Sequence, residues 1–149
     1  MSLRDYVTLR VAGQLFGVEA LAVHDVFHPR GLTPVPLARP QILGVLNLRG
    51  RIVTAVCARK RLGLPPREAD ASEPMAIGLE VGGDSYGLIV DAVDEVLKLD
   101  TDKMHPAPGN LPPRWAEIIK GVWRLDGELL VALDAGKLLD AGSSVKAAA

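Results

Sequence analysis

The stretch LRVAGQLFGV at residues 9–18 recurs as LEVGGDSYGL at residues 79–88, with glycines and apolar residues in matching places. The offset is 70 residues (79 − 9), and no gap interrupts the match. The match extends to AVHDV at residues 22–26 and AVDEV at residues 92–96, which keep the same offset. Self-similarity at a constant spacing indicates that one folding unit is used twice.

A second block repeats at a slightly larger spacing. GVLNLRG at residues 44–50 matches GVWRLDG at residues 121–127, at an offset of 77 residues (121 − 44). The difference between the two offsets (77 − 70) indicates an insertion in the second half, around Met104 to Trp115. Order, spacing and glycine positions agree in both blocks, which favours a true repeat over chance similarity.

Each half of the chain predicts short β-strands joined by tight turns. Residues 6–11 alternate in polarity and are rich in β-forming residues. Arg49-Gly50 and Asp126-Gly127 each lie between apolar runs, and Asp-Gly is among the strongest hairpin signals because both of its residues can adopt positive φ. Each run after the hairpin leads into a predicted short helix, at residues 58–62 and 135–139.

These patterns predict a mainly β protein with short helices, built as two small five-stranded antiparallel barrels related by the repeat. The predicted units are residues 5–66 and 73–140, followed by a tail at 141–149. The proline-rich segment at 65–74 is the predicted connector. Strand exchange between the barrels is left open, and the two together are expected to form one compact domain.

Repeat-equivalent apolar positions are the predicted core. The residues expected to point inward are Val11 with Val81, Phe16 with Tyr86, Val26 with Val96, and Leu48 with Leu125. Alternation from an inward Leu48 places Arg49 outward.

The composition excludes several classes of protein. A chain of 149 residues with 48% hydrophobic and 23% charged residues fits a globular protein. The net charge of −1 provides no cationic field for nonspecific nucleic-acid binding. The chain has no run of about 18 apolar residues, so we expect no membrane insertion. Its first residues show no signal-peptide pattern, and we therefore expect a cytoplasmic protein. With one cysteine, Cys57, an intrachain disulfide is excluded.

The sequence predicts neither an enzyme nor a metal site. Cys57 lies in a strand-like run, whereas a nucleophile usually occupies a turn or a helix N-terminus. His24 and His28 on a strand would lie about 13 Å apart, too far to share a metal ion. The acidic stretch at 91–102 predicts a solvated strand face. The basic cluster at 49–67 is open between a solvated surface, a protein-binding surface and, third, a nucleic-acid surface.

The most distinctive motif of the chain is GVLNLRGRIV at residues 44–53. It is similar to the Gly-x-x-Asn-Leu-Arg-Gly stretch of the CheW-like family of chemotaxis coupling proteins, which includes the regulatory domain of the histidine kinase CheA. The chain resembles this family from about Tyr6 to Leu139. The stretch at 87–96 and the Pro-Ala-Pro at 106–108 add to the resemblance.

The resemblance implies two five-stranded barrels with separate hydrophobic cores, and a noncatalytic adaptor without a cofactor. Such an adaptor couples chemoreceptors to a CheA-type kinase. The implied partners are the regulatory domain of the kinase and the cytoplasmic tip of the receptors, with no nucleic acid and no direct membrane insertion. By motif position, the implied partner-binding residues are Val23, Asp25, Gly44, Arg49 and Gly50.

Other functions stay open at this point. Relatives also serve twitching and gliding systems, so the pathway is undecided. A module that binds a small molecule between the barrels is an alternative from another class, and an enzyme built on Cys57 is a third.

The chain departs from the family after its first central hairpin. Relatives usually read Pro-x-Val-Asp-Leu-Arg, whereas residues 54–59 here read TAVCAR. Thr54, Cys57 and Ala58 therefore replace the Pro, Asp and Leu, while Arg59 remains. If the missing Asp caps a helix, Cys57 cannot replace it, and we expect that end to be looser.

Arg49 is a candidate functional residue for a reason that is independent of the family. The repeat places Asp126 at the same hairpin position, so a turn of this kind does not require arginine. An outward guanidinium has five donors in a planar fork, which suits a carboxylate or backbone carbonyls on a partner. The alternative is an intramolecular salt bridge that ties the hairpin to the other barrel.

Overall fold

A computed structural model describes residues 1–68 and 73–140, which are mostly β-strand. The strands in these ranges are β1 (Leu3–Val11), β2 (Gln14–Glu19), β3 (Val23–Phe27), β4 (Ile42–Leu48), β5 (Arg51–Cys57), β6 (Met75–Val81), β7 (Asp84–Val90), β8 (Ala92–Asp100), β9 (Ile119–Leu125) and β10 (Glu128–Leu133). The α-helices are α1 (Ala58–Leu62), α2 (Pro113–Ala116) and α3 (Ala135–Asp140), and short 3₁₀ turns lie at Ala20–Ala22 and Thr101–Lys103.

The two hairpins predicted from the second repeat block are confirmed. Arg49 and Gly50 have φ of 53° and 85°, and Asp126 and Gly127 have φ of 21° and 84°. Two consecutive positive φ values match the right-handed twist of the strands that the turn joins. The same left-handed turn therefore carries arginine in one copy of the repeat and aspartate in the other.

The strands form two five-stranded sheets, and each sheet takes strands from both halves of the chain. Sheet A has the order β8-β1-β2-β10-β9, and sheet B has the order β3-β6-β7-β5-β4. When β6 to β10 are matched with β1 to β5 through the repeat, the two orders are the same. The prediction of a mainly β fold with two five-stranded units and short helices is confirmed.

The pairing corrects the expectation of purely antiparallel barrels. β2 pairs with β10, and β5 with β7, in parallel. Each parallel pair joins strands from different halves of the chain. Among the described strands, no pairing joins β3 to β4 or β8 to β9, so each barrel-like sheet keeps an open seam. The unit boundaries 5–66 and 73–140 stay a prediction about the repeat, and the tail at 141–149 lies outside the described residues.

The largest hydrophobic cluster lies between the sheets. Phe16 of sheet A and Leu88 of sheet B are fully buried in it. Trp115 of α2 packs edge-on against Phe16, with ring centroids 5.5 Å apart, and its Nε1 donates to the carbonyl of Leu62 at 2.8 Å. The resemblance implied separate cores, and only two smaller clusters are confined to single sheets, around Tyr6 in sheet A and around Phe27, Leu46 and Val53 in sheet B.

The predicted core is right except at one repeat-equivalent pair. Val11, Phe16 and Tyr86 are buried, while Val81, Leu48 and Leu125 are half-buried. Val26 and Val96 are instead 41% and 57% exposed, so their inward assignment is wrong. Strand alternation turns the following residues, Phe27 and Leu97, toward the interior, which leaves each valine on the opposite face.

Candidate functional site

Two of the residues implied by the resemblance, Asp25 and Arg49, form an ion pair across the seam of sheet B. Nη1 of Arg49 donates to Oδ2 of Asp25 at 3.1 Å. The Arg49 side chain is 75% exposed and that of Asp25 is 27% exposed. The pair joins edge strand β3 to the β4–β5 hairpin, where backbone hydrogen bonds do not connect the sheet. The salt bridge considered as the alternative therefore exists, but it lies within one sheet.

Local backbone features aim both side chains at the seam. The register between β3 and β6 shifts between Val23 and Asp25, and an irregularity of this kind re-aims the side chains that follow it. On the other side of the seam, the left-handed turn holds Arg49 at the tip of the hairpin. The Gly50 N–H donates to Oδ1 of Asn47 at 2.9 Å and closes that turn.

A cleft of about 220 Å³ lies beside the ion pair. Phe27, Leu48 and Val53 contribute apolar surface to it, and His24 and Arg51 are charged or polar residues on its lining. Glu80 holds both of these polar side chains, at 2.9 Å from His24 Nε2 and 3.6 Å from Arg51 Nη2, and so it cross-links the rim. An apolar floor with a charged rim is suited to a side chain of a protein partner.

The other predicted site residues have packing roles. Gly44 is buried with φ of 148°, and a Cβ at this position would overlap the carbonyl oxygen of Thr33. Thr33 and Val45 exchange backbone hydrogen bonds of 2.8 and 2.9 Å, which fixes that close approach. Val23 is half-buried and packs against the cluster between the sheets. A direct partner contact by Gly44 or Val23 stays a prediction.

The equivalent seam of sheet A carries two acidic residues in place of an ion pair. The repeat offsets place Glu95 and Asp126 where Asp25 and Arg49 lie in sheet B (25 + 70 and 49 + 77). Both carboxylates are exposed, and neither forms an ion pair within residues 1–68 and 73–140. They line a cleft of about 540 Å³.

One arginine is shared by the two other carboxylates of this acidic rim. Arg10 donates two hydrogen bonds of 3.0 Å to the carboxylate of Glu128, and its Nε lies 3.3 Å from Oδ2 of Asp94. The hydrogen bond from Arg10 holds the pKa of Glu128 below its usual range, and the same bond raises the pKa of Arg10. Arg10 balances one of these two negative charges, and Glu95 and Asp126 add two further carboxylates to the same cleft.

An ion cluster around Asp91 was missed by the sequence analysis. Arg59 donates two hydrogen bonds to Asp91, of 3.0 and 2.6 Å, and Arg67 and the Ala12 N–H add bonds of 2.7 and 2.8 Å. Burial opposes the ionisation of Asp91, but the hydrogen bonds from Arg59 and the Ala12 N–H outweigh it and hold the pKa below its usual value. Asp91 is thus no part of a solvated strand face. The retention of Arg59 in an otherwise altered motif was the available signal.

The basic cluster predicted at 49–67 is largely committed to internal contacts. Besides Arg59 and Arg67, Arg61 donates to the carbonyls of Leu138 at 2.8 Å and Lys137 at 3.3 Å, which ties α1 to α3. Burial lowers the pKa of Arg61. Arg49 is the member of the cluster that is most exposed among those with a salt bridge.

Comparison with known proteins decides the family. The sequence matches the family model of the CheW-like domain over residues 5–143. The chain belongs to the CheW-like family. It is 31% identical over 133 residues to the chemotaxis protein CheW of Rhizobium meliloti, covering 88% of this chain and 85% of the relative. It is 28% identical over 141 residues to CheW of Bacillus subtilis, covering 95% and 90%.

A solved structure agrees with this assignment. The crystal structure of the scaffolding protein TtCheW from Thermoanaerobacter tengcongensis matches with a TM-score of 0.80 and 28% identity over 92% of both chains. The resemblance to the CheW-like family is therefore confirmed. Together these matches make the chain a chemotaxis adaptor that couples receptors to a CheA-type kinase, in a family of noncatalytic scaffolds.

The departure from the CheW-like motif at Cys57 has a structural consequence. Cys57 occupies the N-cap position of α1 and makes no side-chain hydrogen bond there. At the equivalent position before α3, Oδ1 of Asp134 accepts from the Lys137 N–H at 3.1 Å. The first helix therefore begins without the cap that the second one has.

The remaining polar clusters do not form a metal centre. Within residues 1–68 and 73–140, no three His, Cys, Asp or Glu side chains are grouped so that they could hold a metal ion. His28 lies 3.8 Å from Glu73, apart from the pair that His24 makes. None of the helices in these ranges is both long enough and apolar enough to span a membrane.

Proposed function

We propose that this chain binds the regulatory domain of a CheA-type kinase and the cytoplasmic tip of chemoreceptors, and that Arg49 at the seam of sheet B contacts a partner. The protein is noncatalytic in this role, needs no cofactor and acts in the cytoplasm. The effect of receptor occupancy is then transmitted to the kinase by a protein that binds both partners and catalyses no reaction.

The observation that carries the proposal is the exposure of Arg49 at a turn that does not need it. The turn at Asp126 has the same left-handed backbone with a side chain of opposite charge. A 75% exposed arginine on a single ion pair contributes about 0–1 kcal/mol to folding. Its guanidinium keeps donors that the bond to Asp25 leaves available to a partner's carboxylate.

Apolar surface next to the seam supports the same proposal. Val26 on β3 is 41% exposed, and Ile52 on β5 is 64% exposed. Val26 follows Asp25 on β3 and Ile52 follows Arg51 on β5, so exposed apolar side chains lie on the two strands that also carry charged pairs. Interfaces that form and dissociate combine an apolar centre with a polar rim.

The substitution Arg49→Asp tests the proposal, because it copies the second repeat at this turn. We expect the melting temperature to change little and the binding of the kinase regulatory domain to fall at least tenfold in calorimetry or a pull-down. Arg124→Asp, at an exposed position before the other hairpin, is the matched control and is expected to bind normally. Normal binding by Arg49→Asp, or its unfolding, would contradict the assignment of Arg49.

A further inference from the structure

Asp25 lies opposite a residue that has no side chain. Asp25 pairs with Gly78 across β3 and β6. A methyl group added to Gly78 would overlap Oδ1 of Asp25, so the carboxylate occupies the space of the missing side chain. The φ of Gly78 lies outside the left-handed region, so its backbone conformation does not call for glycine.

The second copy of the repeat shows the same position with a side chain present. Thr8 corresponds to Gly78 (78 − 70), and it is 1% exposed. Its hydroxyl donates to the backbone carbonyl of Glu95 at 2.5 Å. The Glu95 side chain is exposed, whereas its equivalent Asp25 is 27% exposed. In sheet A, this position has a side chain and the acid faces solvent. In sheet B, this position is glycine and the acid lies inside the seam.

We propose that Gly78 is a positioning residue of the partner site. It makes room for the Asp25 carboxylate, which then holds Arg49 in an intramolecular pair that competes with a partner's carboxylate for the guanidinium. Gly78 therefore sets how strongly the chain's own acid competes for Arg49. This inference rests on the proposed contact between Arg49 and a partner.

The competition is expected to be modest, because the pair is exposed to solvent. A single hydrogen bond of 3.1 Å joins Asp25 to an arginine that is 75% exposed. Exposed pairs of this kind have small net energies, so releasing Arg49 is expected to raise its affinity for an acidic partner surface about two- to fivefold. That range is measurable by calorimetry.

The test compares Gly78→Ala, Asp25→Ala and the double variant. Gly78→Ala removes the space for the carboxylate without changing either charge, and alanine suits a strand better than glycine does. Gly109→Ala is the matched control, because it has neither a neighbour within 4 Å nor a positive φ. Gly78→Ser, another small side chain, serves as the second variant if Gly78→Ala folds poorly in a thermal melt.

Two measurements separate the effect of Gly78 on the ion pair from its effect on partner binding. NMR of the Arg49 guanidinium reports whether the pair with Asp25 is intact, because rotation of a paired guanidinium is restricted, and this needs no partner. Titration with the kinase regulatory domain then reports affinity. We expect Gly78→Ala and Asp25→Ala each to free Arg49 and tighten binding two- to fivefold. The double variant is expected to match Asp25→Ala alone, because both substitutions act on one pair.

Some outcomes would overturn the assignment of Gly78. An unchanged Arg49 signal in Gly78→Ala would show that the side chain at 78 does not control the pair. An equal loss of affinity in Gly78→Ala with and without Asp25 would show a general structural role. If the kinase domain binds none of the proteins, the proposed function fails, while the NMR measurement still decides whether Gly78 positions Asp25.

Discussion

The seams of sheets A and B lie between equivalent strands and turns but carry different charges. In sheet B, Asp25 and Arg49 attract each other beside a cleft of about 220 Å³. In sheet A, Glu95 and Asp126 are both negative and line a cleft of about 540 Å³. The turns at Arg49 and Asp126 nevertheless have the same left-handed form. The turn therefore does not depend on the side chain, and the charge at its tip is free to serve the seam or a partner.

The two connections that carry the chain from one sheet to the other, here called crossings, also differ in charge. Asp91 connects β7 to β8 and is held by two arginines and a backbone N–H. Its repeat equivalent, Leu21 (91 − 70), lies in the turn between β2 and β3 and is 88% exposed. One crossing is thus held by charged side chains, whereas the other is a 3₁₀ turn with an exposed leucine.

The largest expected effect comes from breaking the Asp91 cluster. Asp91→Asn is expected to destabilise the fold by about 2 kcal/mol, because it leaves Arg59 and Arg67 without their shared charge at a partly buried position. Leu21→Asn at the equivalent crossing is the control and is expected to change stability by less than about 0.5 kcal/mol. Urea unfolding measures both, and equal effects would show that the crossings do not differ.

The same cluster predicts a pH dependence. The pKa of Asp91 is lower in the folded protein than its usual value, so its stabilisation is complete above the unfolded pKa of about 4. The stabilisation is lost as the pH falls through the lower pKa of the folded state. The difference in unfolding free energy between the wild type and Asp91→Asn should therefore shrink below about pH 4. A difference that stays constant down to pH 2 would contradict the account of Asp91.

Substitutions at the helix N-caps are expected to change stability less, with a loss in the second repeat and a gain in the first. Asp134→Ala is expected to cost about 1 kcal/mol, because the Lys137 N–H loses its acceptor. Cys57→Asp is expected to stabilise the fold by about 0.5–1 kcal/mol, since it supplies the cap that α1 lacks. Thermal melts of both variants test this, and destabilisation by Cys57→Asp would mean that the first helix start does not tolerate the cap.

The smallest effect is expected from making the seam of sheet A like that of sheet B. Asp126→Arg places an arginine opposite Glu95 and is expected to stabilise the fold by about 0–1 kcal/mol in low salt. High salt should remove the gain, because exposed pairs are screened. The gain should also vanish in a Glu95→Gln background, and its persistence there would show that the two side chains do not pair.

Much of the fold was predictable, because its signals are local. The hairpins at Arg49-Gly50 and Asp126-Gly127 and the start of α1 follow from neighbouring residues alone. The Arg49–Asp25 pair was not predictable, because its partners are 24 residues apart in sequence and meet through the order of strands in the sheet. The exposure of Val26 and Val96 was missed for a related reason, since equivalence in a repeat does not state which face of the sheet is buried.

The sequence by itself determined that the chain is a duplicated β unit, where its turns lie and which family it belongs to. Turn geometry and motif spacing are encoded in contiguous residues, so they survive without knowledge of contacts. Only the tertiary structure decided that each sheet mixes strands from both halves, that Gly78 makes room for Asp25 and that Asp91 gathers two arginines. Those features depend on which strands pair and in what register, and pairing between distant segments is selected by the packing of the whole chain.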